Sequence, residues 1–63
     1  MNQLWTYRVE GLARNLHAVY PFIETISTRE RDEDAVTAKA RRMLKMRLGE
    51  GLLFEIKKII LIG

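Results

Sequence analysis

From Leu4 to Glu10 apolar and polar positions alternate, with Trp5, Tyr7 and Val9 on one side and Leu4, Thr6, Arg8 and Glu10 on the other. A period of two marks a strand buried on one face. Gly11 is expected to end this strand, and Leu12 to His17 reads as a loop of mixed character. Val19 to Ser27 is rich in β-formers and predicts a second strand. Pro21 cannot donate a ladder hydrogen bond, so this strand belongs at a sheet edge or begins with a bulge.

After the charge-dense stretch Arg29 to Asp34, the period changes. Val36, Ala40, Met43 and Leu44 recur at i, i+4, i+7 and i+8 and line one face of a helix. Asp32 suits its N-cap, Glu33 and Asp34 its first turn, Lys45 and Arg47 its last turn, and Gly49 an αL C-cap. These signals predict a helix over Glu33 to Leu48. Leu52, Phe54 and Ile56 then alternate with Leu53, Glu55 and Lys57 before the run Ile59 to Ile62, so Leu52 to Ile62 predicts a third strand.

The order β-β-α-β in a single domain over 1–63 defines an α+β fold. Two strands joined by a short loop pair antiparallel, and the third is expected beside the first, giving a three-stranded antiparallel sheet in the order 2-1-3. One helix covers one face over Trp5, Tyr7, Val9, Phe22, Ile26, Val36, Ala40, Met43, Leu44, Phe54 and Ile56. The opposite face is left open.

With 63 residues, 48% hydrophobic and 30% charged, the chain has globular composition but a small core. It has no cysteine to staple that core, so idealised packing, a second copy or a bound partner is expected to add stability. The absence of cysteine, and of the long apolar run of a secretory signal in Met1 to Glu10, points to a reducing cytoplasm. Leu52 to Ile62 is interrupted by Glu55, Lys57 and Lys58 and is too short for a spanning helix.

Catalytic and cofactor chemistry finds little to work with. The single His17 falls in a loop and the single Ser27 opens a charged turn, so no nucleophile and base are expected together. One His cannot build a zinc site, and Gly49-Glu50-Gly51 follows a helix where a phosphate cradle would precede one. The acids Glu30, Asp32, Glu33 and Asp34 are accounted for by the helix dipole. No catalytic residue, metal ligand or cofactor is assigned.

Charge is segregated instead. Residues 1–28 carry no net charge, 29–34 carry −2 and 35–63 carry +5. No acid pairs with a base at i, i+4 along the helix, and Arg41 and Lys45 repel at that spacing. A cationic surface of Arg41, Arg42 and Lys45, joined by Lys57 and Lys58 from the third strand, is therefore the candidate partner-binding site, for an acidic protein or for RNA. The run Ile59, Ile60, Leu61 and Ile62 is apolar on both faces of its strand. It is the candidate edge for a homodimer or a strand-adding partner.

Two families share this order of motifs. Leu4-Trp5, Val9-Glu10, Asp32-Glu33 with Ala35, and Phe54-Glu55-Ile56-Lys57-Lys58 resemble the small inhibitor of bacterial RNA polymerase encoded by short-tailed coliphages. That resemblance implies one helix on a three-stranded sheet and docking on the polymerase jaw through basic residues of the last strand. Lys58 falls on one of those positions and Ile60 on the next, and the family's helix is acidic where this one is basic. Tyr7-Arg8-Val9-Glu10-Gly11, Pro21-Phe22 and the closing isoleucine-rich strand are similar to the archaeal large-subunit ribosomal protein LX. That resemblance implies RNA binding by a basic loop after the helix, where this chain has Leu48-Gly49-Glu50-Gly51-Leu52. Together these readings lead us to expect a non-enzymatic binding module: a phage protein docking on a host macromolecule such as RNA polymerase, alternatively an RNA-binding module of the LX type or a self-associating scaffold.

Overall fold

A computed structural model describes residues 3–63. Strands β1 (Trp5–Arg14) and β2 (Val19–Thr28) form a hairpin, helix α1 (Glu33–Leu48) follows, and β3 (Leu53–Leu61) closes the unit. The sheet is antiparallel throughout in the order β2-β1-β3, the α+β arrangement expected from the connections.

β1 does not stop at Gly11. It runs three residues further, pairing with β2 without interruption from Trp5↔Thr28 to Arg14↔Val19. The loop shrinks to Asn15–Ala18, closed by the Asn15 Oδ1, which accepts from the backbone N–H of His17 and of Ala18, each at 2.8 Å. Gly11 serves a close approach rather than a turn. A Cβ built there would run into the carbonyl oxygen of Glu55 on β3, so only glycine lets the two backbones cross so tightly.

The β1–β3 ladder slips at the same place. Glu10 pairs with Lys58 and Gly11 with Ile56, leaving Lys57 as the extra residue of a bulge. A bulge shifts the side-chain phase by one. Phe54 and Ile56 face the helix before it and Ile59 packs on the core after it, while Lys57 and Lys58 are both exposed. The bulge thus accounts for two consecutive exposed cations in this strand.

α1 spans the expected residues. Asp32 caps it, its side chain accepting from the Ala35 N–H at 3.1 Å. Gly49 closes it with φ 122° and ψ 148°, a glycine conformation that is not the αL cap expected; its N–H still donates to the Lys45 carbonyl, and the chain turns at Glu50–Gly51 before β3. Val36, Ala40 and Leu44 are buried at i, i+4 and i+8 against Tyr7, Val9 and Ala13 of β1, Phe22 and Ile26 of β2, and Phe54 of β3. Phe22 and Phe54 stand on the two outer strands, about 9 to 10 Å apart as backbones. Their rings meet edge-to-face at 6.0 Å because the strand between them carries only Gly11 and Ala13 on that side. Trp5, Met43 and Ile56, expected inside, are half-buried around this cluster. Among the described residues no helix is long and apolar enough to cross a membrane.

Candidate docking surface at the β3 edge

A three-stranded sheet has two free edges, and the hydrogen-bond phase says which backbone groups each presents. The Ile62 N–H donates to the Thr6 carbonyl, so Thr6 faces β3. By the alternation of an antiparallel ladder, Ser27, Thr25, Ile23, Pro21 and Val19 of β2 point their backbone groups away from β1. Pro21 therefore lies inside the ladder, paired with Leu12, and the N–H it lacks would have pointed to solvent. Arg47 donates to the Thr25 carbonyl at 2.8 Å and pairs with Glu24 at 3.2 Å, closing an outward group two outward positions beyond Pro21, past Ile23.

The same phase turns Phe54, Ile56, Ile59 and Leu61 of β3 outward. Arg41 donates to the Phe54 carbonyl at 2.8 Å and closes the start of this edge. Beyond the bulge, Ile59 and Leu61 are two neighbouring outward residues with no side chain on their edge groups among the described residues. Their side chains are apolar and incompletely covered: Ile59 and Ile60 are half-buried, and Leu61 and Ile62 remain 43% and 51% exposed.

Beside this open stretch lies a groove of about 340 Å³ between β3 and the start of α1. Tyr7, Val36, Ile59 and Leu61 form its apolar floor. Arg31 and a single acid, Glu33, stand at its margin, and Lys57 and Lys58 border it from the strand. Arg31 is held by stacking on Trp5, 4.2 Å from the ring centroid, and Tyr7 fixes the preceding loop by donating to the Glu30 carbonyl at 3.1 Å. Arg31 was not marked by sequence patterning; its spacing ahead of the helix carries no period, and only the fold brings it beside β3.

The five cations expected on one surface do not share one. Arg42 and Lys45 are exposed on the side of α1 opposite Val36, Ala40 and Leu44. Arg41 reaches back to the β3 edge and is committed to a backbone carbonyl. Lys57 forms a 3.0 Å ion pair with Glu55, whose carboxyl is held below its ordinary pKa by that hydrogen bond first, then by the charges of Lys57 and Arg14. The expected helix-plus-strand patch is thus two surfaces, because the helix and the bulge turn their charges in different directions. Comparison with protein-family models, curated proteins and solved structures finds no match to this chain.

Proposed function

We propose that this chain is a non-enzymatic binding module of phage type, acting in the host cytoplasm by docking on a host protein such as RNA polymerase, with Lys57 and Lys58 among its contacts. The observation that carries the reading is the unclosed stretch of β3 beside two exposed cations, in a sheet whose other edge is interrupted by Pro21 and Arg47. The single His17 lies at the hairpin tip and Ser27 eight residues along β2 from Val19, about 26 Å at 3.3 Å per residue, which supports binding over nucleophilic catalysis. Capture of host proteins by the tagged chain, with and without nuclease, tests it. RNA polymerase or another single protein retained after nuclease and lost in Lys57→Glu/Lys58→Glu supports docking; loss of every partner on nuclease treatment refutes it.

Arg42 and Lys45, exposed and without an acid partner among the hydrogen bonds and ion pairs of the described residues, favour RNA as the second reading. Tyr20 alone among the aromatics is well exposed, which offers little for base stacking. An RNA-binding module would show log K falling linearly with log salt.

A further inference from the structure

We infer that the segment Ile59–Leu61 of β3 receives an extended acidic segment of the partner as a fourth strand, with one apolar side chain of that segment seated in the groove over Tyr7 and Val36. This rests on the docking reading and gives the partner its chemistry. Three observations carry it. Among the described residues no side chain closes the outward backbone groups of Ile59 and Leu61, whereas Pro21 and Arg47 interrupt β2 and Arg41 closes β3 at Phe54. An edge that is left open beside edges that are blunted is a template for strand addition.

The two faces of the added strand then meet different surroundings. On the helix side lies the groove with its apolar floor, large enough for an aromatic or branched side chain. On the open side of the sheet stand Lys57, paired there with Glu55, and Lys58, opposite Glu10. Arg31 adds a third cation at the margin against Glu33 alone. A strand presents alternate residues to opposite faces, so the complementary segment alternates acids with apolar residues. A second copy of this chain fits less well, since it would bring its own Lys57 and Lys58 to an edge already cationic.

The test uses the ¹⁵N-labelled full chain and a synthetic peptide, Glu-Val-Glu-Phe-Glu-Val-Glu, with a Lys-for-Glu peptide as control. Amide exchange at Ile59 and Leu61 is expected to slow by about tenfold or more on adding the acidic peptide, and exchange at Ile23 and Thr25 on the β2 edge to stay unchanged. Leu61→Pro places on β3 the device that Pro21 places on β2 and is expected to weaken the peptide by about tenfold, the loss of one backbone bond and its neighbours, with the far-ultraviolet CD preserved. Lys57→Glu/Lys58→Glu, which leaves the backbone edge intact, is expected to weaken it comparably. Unchanged exchange at the two amides, equal binding of the Lys peptide, or protection that grows with protein concentration without peptide would each overturn the proposal, the last by assigning the edge to a second copy. Protection by the peptide without any nuclease-resistant host protein would fail the docking reading alone; retention of that protein by Leu61→Pro as by the parent would fail strand addition alone.

Discussion

The two edges of this sheet are built from equally strand-prone sequence and end in opposite states. β2 carries Val19, Tyr20, Ile23 and Thr25 toward solvent, yet Pro21 removes one outward N–H and Arg47 occupies one outward carbonyl. Among the described residues β3 is closed only where Arg41 reaches Phe54, and past the Lys57 bulge its edge is open and apolar. Edge protection here comes from the helix, which sends one arginine to each outer strand. Among the described residues no helix side chain closes the outward groups of Ile59 and Leu61. Unprotected edge in a small domain is costly in solubility, and its position beside cations is the feature on which the docking proposal rests.

The comparison breaks most completely at Gly11. Gly11→Val pushes a side chain into the β3 backbone, and since backbone cannot yield as a flexible side chain does, about 3 kcal/mol or more of stability should be lost in urea titration. The β1–β3 ladder would loosen before the β1–β2 hairpin, so amides of β3 should exchange first. A loss under about 1 kcal/mol would mean that the two backbones do not cross as closely as described.

Removing the arginines separately sharpens the contrast. Arg41→Ala and Arg47→Ala each delete a charged donor to a partly exposed carbonyl, and each should cost about 1 kcal/mol. Their effects on association should differ. Arg47→Ala still leaves Pro21 on β2, so it should sediment as the parent does; Arg47→Ala/Pro21→Val removes both devices and should associate more than the parent. Arg41→Ala lengthens the open edge of β3 and should bind the acidic peptide at least as well as the parent. Weaker binding would place Arg41 in contact with the partner and not merely at the edge.

How far this was legible before the structure differs by element. α1 was readable to the residue because cap, dipole and period are local signals that agree, and Asp32→Ala should cost about 1 kcal/mol in thermal unfolding as an ordinary cap does. The strand order followed from connection rules. Gly11 misled because a glycine in a strand pattern marks either a turn or a close crossing, and the choice depends on β3, more than forty residues away. Lys57 and Lys58 were visible as cations, but the bulge that turns both off the core arises from pairing with Glu10 and Gly11. The apolar run Ile59 to Ile62 was visible as a stretch that one helix could not cover on both faces, and of its residues Leu61 and Ile62 are exposed. That Arg41 belongs to this edge and Arg42 to the opposite surface could not be read from neighbouring positions, since one residue of helix is a rotation of about 100° and the acceptor is a backbone carbonyl.

The smallest effect concerns how Lys57 is held at the open edge. Its partner Glu55 has a carboxyl held below the usual range, chiefly by the Lys57 hydrogen bond and charge, with Arg14 contributing through a 3.2 Å contact. A carboxyl whose folded pKa is depressed stabilises the fold above its unfolded pKa, and that contribution is lost as pH falls through the folded value. The pair should therefore be intact at neutral pH and open only on acidification below the ordinary carboxylate range, and its exposure to solvent keeps its share of stability small. Lys57→Met should raise the Glu55 titration midpoint, followed by NMR of its side-chain carboxyl, while Arg14 keeps part of the depression. An unmoved midpoint would mean that Lys57 is not anchored to Glu55 and swings free at the edge. Peptide binding distinguishes the two roles of the lysine: if it serves the partner directly, Glu55→Gln, which frees Lys57, should strengthen the acidic peptide, and if it serves only the local pair, Glu55→Gln should leave binding unchanged.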